Sequence, residues 1–269
     1  VFISELSEYL KSKRGIDISL YKENFLQRRL SIHLNSNNIF NLSEYLQLIK
    51  KNDSELDRLI DLLTIHVTQF FRNPELFNEL KNTVLPELFN RGSKTLCFLS
   101  AGCATGEEPY SLAMLLLEEF SDFLNTTSVK IYGVDISDSV LHRAYEGIYT
   151  GAALKKVPDV FRRKYFLNIG ENRFRINEEV RKMVEFKKLN LFEEELQTKM
   201  DLVLCRNLLI YLNRNIQVLL IERLKNFLNE NGYLILGKTE GIYTFMNIKE
   251  LQVLSQTKRI YVLKGGSYA

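Results

Sequence analysis

With 269 residues, 45% of them hydrophobic, the chain is long enough for a full α/β domain plus a smaller one. A net charge of +3 is too small to point to nucleic acid, and the interleaving of aromatic and basic residues that reads RNA is absent. No stretch approaches the roughly 20 apolar residues of a membrane span, the first ten residues do not read as a signal peptide, and Cys97, Cys103 and Cys205 are an odd set that reads as reduced cytoplasmic thiols.

From residue 2 to about 64 apolar residues recur at intervals of three and four, as in Phe25, Leu26, Leu30, Leu34 and again in Leu56, Leu59, Ile60, Leu63. Asn41 or Ser43, and Asn52 or Asp53, are candidate caps, so the segment reads as a small helical bundle. It carries a basic run, Lys11, Lys13, Arg14, Lys22, Arg28 and Arg29, against Asp17 and Glu23. Such a run is either a solvated helix face or a patch for an acidic protein partner. His33, His66 and His142 are far apart and share no ligand spacing with a cysteine or acid, so no metal is expected. A helix over 75–89 then follows Arg72, Asn73 and Pro74, and Arg72 is suited to a bidentate pair with a ligand carboxylate.

Residues 95–117 organise the rest. Leu96, Cys97, Phe98 and Leu99 form a strand apolar on both faces, hence central and parallel. Ala101, Gly102, Cys103, Ala104, Thr105 and Gly106 make a turn of little side-chain bulk, where a ligand can approach the backbone. A helix then opens with Glu107, Glu108 and Pro109. The turn matches neither phosphate-binding fingerprint, since Gly102 and Gly106 stand four apart with no Lys following. Two acids where a phosphate needs donors favour a cationic ligand without phosphate, and S-adenosylmethionine fits that description. The alternative for the acids is helix capping, with Thr105-x-x-Glu108 spelling a capping box.

A second strand over 129–134 ends in Asp135, the position that holds a ribose diol in doubly wound sheets; capping of the next turn is the alternative. A helix over 137–149 follows, and residues 155–182 break the β/α rhythm with a small antiparallel excursion. Val184, Phe186 and Leu189 return to the main sheet and end at Asn190 and Leu191. The strand 201–205 ends in Arg206, hard to explain as packing because its neighbours are apolar and Arg is rarely buried unpaired. A helix over 214–228, a stop at Gly232, a strand over 233–236 and a closing pair near 251–254 and 260–263 complete the domain.

Together these residues resemble the chemotaxis receptor methyltransferases, the CheR family, over nearly the whole chain. Thr64…Val67-Thr-Gln-Phe-Phe-Arg72 is similar to the family's T-x-x-x-T-x-F-F-R, and Ala104-Thr-Gly-Glu-Glu-Pro-Tyr-Ser111 to its S/A-T-G-E-E-P-Y-S. Asp201…Cys205-Arg-Asn207…Ile210-Tyr211 is similar to D-x-x-x-C-R-N-x-x-I-Y, and Gly237-Lys-Thr-Glu240 to G-x-S/T-E. The resemblance implies an α/β chain with an N-terminal all-α bundle at 1–64 and a doubly wound, Rossmann-like S-adenosylmethionine methyltransferase domain at 65–269. Residues 65–90 would be linker and lead-in helix, and about 160–182 an inserted antiparallel β-subdomain.

It also implies roles. Thr68 and Arg72 would hold the cofactor's amino-acid end and Glu108 its ammonium side; His66, Ala101 and Gly102 would also line the cofactor site, with His66 standing where the family often has Asn. Asp135 would hold the ribose, and Asn190, Leu191, Cys205 and Arg206 the adenine side and crevice wall. Arg206 and Tyr211 would face an acceptor glutamate, and the basic run from Lys11 to Arg29 the receptor. The implied activity is methylation of glutamates on the cytoplasmic helices of chemoreceptors by a cytoplasmic monomer that binds no nucleic acid and does not insert in the membrane. The short loop at 168–172 suggests independence of a C-terminal receptor pentapeptide. The alternative is a cofactor-sensing or scaffolding module with weak turnover.

Overall fold

The computed structural model describes residues 2–64, 67–241 and 250–265. They fall into two units: Val1–His66 with Leu208–Leu219, and Val67–Asn207 with Leu220–Ala269.

The first unit holds α1 (Phe2–Arg14), α2 (Glu23–Ser36), α3 (Leu42–Lys51) and α4 (Asp53–Leu63). Asn41 and Asn52 cap α3 and α4, each accepting two backbone N–H groups. Leu6, Leu26, Ile49, Leu56 and Leu59 supply the buried stripes. The segment 208–219 joins this unit although sequence alone leaves it with the sheet. Tyr21 forms an antiparallel bridge with Leu212, Lys22 N donates to the Tyr211 carbonyl at 2.8 Å, and Asn213 N donates to Leu20 O at 3.0 Å.

In the second unit, α5 (Pro74–Glu79) and α6 (Leu85–Asn90) are joined by a π turn, Leu80–Val84. Pro86 has no N–H for the carbonyl four residues back, and the backbone widens just before it, Leu85 N donating to Leu80 O. The main sheet holds β1 (Thr95–Ala101), β2 (Ser128–Asp135), β6 (Val184–Lys188), β7 (Met200–Cys205), β8 (Leu228–Leu236), β9 (Leu251–Ser255) and β10 (Ile260–Leu263). Its order is β6-β2-β1-β7-β8-β10-β9, parallel except at β10, which is antiparallel to both neighbours. Helices α7 (Glu107–Glu119), α8 (Ser121–Leu124), α9 (Asp138–Glu146) and α12 (Arg214–Phe227) connect the strands. The chain leaves β1 toward β2 and later crosses back to β7 on its other side, so the ligand crevice of a doubly wound sheet lies at the carboxyl ends of β1 and β7. Register sets those ends level: Ala101 pairs with Val134 and with Cys205.

The antiparallel excursion is a three-stranded sheet in the order β3-β5-β4: β3 (Ile148–Thr150), β4 (Phe166–Asn168) and β5 (Arg173–Ile176). It is flanked by α10 (Asp159–Tyr165) and α11 (Glu178–Lys182). Strand β3 corrects the sequence reading of a helix running to 149, because Gly147 at φ 63° ends α9 and the β-prone Ile148 and Tyr149 pair with β5 instead. Gly232 likewise lies inside β8 rather than before a strand.

Gly106 (φ 90°) stands at the head of α7 in close contact with its surroundings. A Cβ there would meet Ala144 Cβ and Phe186 Cζ, each at 3.0 Å, whereas one on Gly92 (φ 71°) meets nothing within 4 Å. Gly92→Ala is therefore expected to cost about 1 kcal/mol for left-handed backbone alone. Gly106→Ala adds an overpacking penalty of roughly 1–3 kcal/mol. Urea denaturation of the two variants checks this, and equal losses would contradict the packing account.

Candidate active site

The turn after β1 is built so that its own amides are engaged. Gly102 (φ 73°) and Cys103 both donate to the Val134 carbonyl at 2.9 Å, Ala104 N donates to Asp135 Oδ2 at 3.0 Å, and Gly106 N to Cys103 O at 3.0 Å. A phosphate cradle requires those N–H groups to point outward. Here they bind the turn to the end of β2, which fits a ligand recognised by carboxylates. Asp135 also accepts from Ser137 N at 3.1 Å, so it caps its own turn and fixes the glycine turn at once. The capping box does not form: Gly106 is the N-cap of α7, and the Thr105 hydroxyl donates instead to Glu107 Oε2 at 2.7 Å. Burial raises the Glu107 carboxyl pKa above its ordinary value, with the Thr105 hydrogen bond pulling the other way.

Glu108 and Arg206 meet where β1 and β7 end. Arg206 Nη1 donates to Glu108 Oε2 at 2.8 Å, with the Arg206 side chain 2% and the Glu108 side chain 15% exposed. Ser100 Oγ donates to the other carboxylate oxygen at 2.7 Å. Arg206 Nη2 donates to Arg72 O at 2.9 Å and to Asn73 Oδ1 at 2.7 Å, which answers the sequence puzzle of an arginine among apolar neighbours. Its Nε is buried without a hydrogen-bond partner among the described residues. The chain on either side of this knot is strained: Phe71 (φ 49°), Asn73 (φ 62°) and Asn207 (φ 60°) are all left-handed. Each is held by a neighbour. Phe71 N donates to buried Ser111 Oγ at 2.9 Å, and that hydroxyl donates to Glu107 O at 2.6 Å. Asn207 N and Gly237 N donate to Glu240 Oε2 at 2.8 and 2.6 Å, and Glu240 is only 2% exposed.

Arg72, Ala101, Gly102, Glu108, Asp135, Cys205 and Arg206 thus gather at the strand ends. Arg72 Nη1 donates to Val67 O at 2.9 Å, and Thr68 is half-buried in the same segment. Asn190 Oδ1 accepts from Phe192 N at 3.0 Å and Leu191 O accepts from Arg223 Nε at 2.6 Å, which fixes the turn after β6. Burial, followed by the Glu240 and Glu108 carboxylates, raises the Cys205 thiol pKa far above its ordinary value and keeps it protonated. His66 lies outside the described residues. Tyr211 belongs to the helical unit, its ring 5.0 Å from Phe25. Ser100, Asn73, Ser111 and Glu240 were not singled out by sequence; the last two stand in quoted motifs, and Asn73 stands before a helix-starting proline.

In the helical unit four of the six basic residues have internal partners. Lys11 pairs with Asp17 at 2.8 Å, and Arg14 with Asp53 at 3.0 Å and Asp57 at 3.2 Å. Lys22 Nζ donates to Ile210 O at 2.8 Å and Arg29 donates to Leu62 O. Lys13 and Arg28 are exposed.

The donors and acceptors present fit S-adenosylmethionine. A carboxylate offers about four acceptor sites, so Glu108 keeps capacity beyond its bonds to Ser100 and Arg206. The unpartnered Arg206 Nε adds a donor.

Comparison with known proteins agrees with this chemistry. Residues 66–260 match the model of the CheR methyltransferase S-adenosylmethionine-binding domain, and residues 3–64 that of the CheR methyltransferase all-alpha domain. The chain is 33% identical over 264 residues to a chemotaxis protein methyltransferase of Borreliella burgdorferi, covering 95% of this chain and 93% of that one. It is 30% identical over 233 residues to one of Listeria innocua, with 87% of each covered. It is 31% identical over 242 residues to chemotaxis protein methyltransferase 2 of Pseudomonas aeruginosa, with 88% and 85% covered. The chain belongs to the CheR methyltransferase family, and S-adenosylmethionine is its cofactor.

Proposed function

We propose that the chain transfers a methyl group from S-adenosylmethionine to glutamate side chains of chemoreceptors, giving glutamyl methyl esters. The observation that carries the reading is the Glu108–Arg206 knot at the sheet's switch point, in a chain whose relatives are chemotaxis methyltransferases. The bound cofactor supplies an electrophilic methyl on a sulfonium. A glutamate carboxylate with an ordinary pKa of about 4.3 is already ionised at neutral pH, so no general base is required. The protein's task is alignment and partial desolvation, worth up to roughly 7–11 kcal/mol in well-oriented systems.

Glu108, held by Ser100 and Arg206, offers its remaining acceptor capacity to the ammonium end of the cofactor, and Arg72 offers a guanidinium to the carboxylate. Asp135 serves the ribose, and Thr68, Ala101, Gly102, Asn190, Leu191 and Cys205 the walls. Arg206 anchors this arrangement; its bonds to Glu108, Arg72 and Asn73 make cofactor positioning its first role. The family resemblance assigns Tyr211 an orienting hydrogen bond to the acceptor. Lys13 and Arg28, the exposed members of the basic run that carry no described bond, are the cations offered to an acidic receptor surface. The short turn at 168–172, closed by Arg173 N to Gly170 O at 2.9 Å, is read as that of an enzyme without a pentapeptide tether.

The defining experiment incubates the chain with methyl-labelled cofactor and chemoreceptor cytoplasmic fragments. Label that alkali releases as methanol is expected; label that resists alkali would contradict a carboxyl ester. Arg206→Ala is expected to lose turnover and cofactor affinity together, because it strands Glu108, at a stability cost of roughly 3–5 kcal/mol. Tyr211→Phe is expected to lower kcat while cofactor affinity stays within about twofold. Calorimetry with the cofactor and steady-state kinetics check both, and unchanged turnover in the two variants would overturn the assignments.

A further inference from the structure

Beside the Arg206 knot, on the side of α5, β8 and the β9–β10 turn, lies a cavity of about 230 Å³. A cavity of roughly 150 Å³ admits a benzene ring, so a Glu side chain fits here. Its apolar walls are Leu76 and Leu236, and its charged groups are Arg206, Lys238, Lys258 and Glu75. The three cations differ in how far they are engaged. Arg206 is bonded to Glu108 as described, and Lys258 pairs with Glu79. Lys238 faces Glu75 at 3.6 Å, beyond good hydrogen-bond length, with the two side chains 71% and 53% exposed. Such a surface pair is worth little and yields readily to a better-placed anion.

The loop carrying Lys238 is fixed. Buried Glu240 grips the amides of Gly237 and Asn207, and a Cβ at Gly237 would meet Glu240 Oε2 at 2.3 Å, so Gly237 leaves room for that carboxylate. The backbone that carries Lys238 is therefore tied to that of Asn207, next to Arg206 at the end of the neighbouring strand. Glu75 already sets a carboxylate opposite Lys238 at the cavity's edge, the kind of group this lysine pairs with.

We infer that the cavity binds an acidic side chain of the acceptor protein, one flanking the glutamate that is methylated, with Lys238 as its counter-ion and Leu76 and Leu236 against its stem. This rests on the acceptor being an acidic protein segment, as proposed above. It makes Lys238 a specificity-determining residue: acceptor glutamates with an acidic neighbour are preferred over those with a neutral one.

The test uses the full chain with receptor cytoplasmic fragments in two forms, one with acids beside the acceptor glutamate and one with those acids changed to Gln. Binding is read by fluorescence anisotropy, separately from methyl transfer. Lys238→Glu is expected to weaken binding of the acidic form by about tenfold, and Lys238→Ala by a few-fold, with Lys238→Arg restoring it. Neither change should alter cofactor affinity or thermal unfolding, and the Gln form should bind all variants alike. KM for the acidic form should rise in parallel. Binding of the acidic form that is the same in Lys238→Glu and the unchanged chain would overturn the inference. Because binding is scored without turnover, loss of methyl transfer by the unchanged chain would count against the function and leave this comparison decisive for the cavity.

Discussion

A single guanidinium holds the site together. Arg206 reaches Glu108 at the head of α7 and the backbone and side chain of residues 72–73 from the end of β7, three segments that are distant in sequence. Burying an ion pair is costly unless its other donors and acceptors are also met. Ser100 meets the second oxygen of Glu108, and Arg72 O and Asn73 Oδ1 meet Nη2. The left-handed backbone at Phe71, Asn73 and Asn207 is the strain that this convergence imposes, and the Ser111 and Glu240 hydrogen bonds maintain it.

The same economy of donors decides the class of ligand. In phosphate-binding folds the glycine turn leaves its amides free for the anion. Here Gly102, Cys103 and Ala104 turn theirs toward Val134 and Asp135, and carboxylates remain as the groups presented at the strand ends. The register of β1 with β2 and β7 puts Asp135 and Arg206 at one level, on either side of the end of β1. A methyl transfer to a carboxylate needs no proton removed. It is consistent with a site whose buried cysteine is held as a thiol and whose charged groups serve as anchors.

Much of the fold was legible because both periodicities are strong. Strands β1, β2, β7 and β10 carry apolar runs, and α3 and α4 carry clean stripes, with Asn41 and Asn52 the ones among the candidate caps that the structure uses. The end of α9 was misread because Val140, Leu141 and Ala144 keep helical spacing into Tyr149, and the stop signal is the single Gly147. Long-range partners were not legible. Arg206 and Glu108 stand 98 residues apart, and Arg14 meets Asp53 and Asp57 across 39 and 43 residues, so charges that look unsatisfied in sequence find their counter-ions only in the fold. The attachment of residues 208–219 to the stretch around Tyr21 and Lys22 combines backbone hydrogen bonds with Lys22 Nζ to Ile210 O and the Tyr211–Phe25 ring contact, and pairing over so long a stretch of chain leaves no trace in local periodicity.

The central claim is that the Glu108–Arg206 pair exists for the cofactor and not only for the fold. The direct measurement is a double-mutant cycle on Glu108→Gln and Arg206→Met, reading both unfolding free energy and S-adenosylmethionine affinity. Each single change leaves a buried group stranded and is expected to cost roughly 3–5 kcal/mol of stability. The double variant, with both charges gone, should recover most of that stability while cofactor binding stays lost. Recovery of stability and cofactor affinity together would contradict the account and reduce the pair to a structural element.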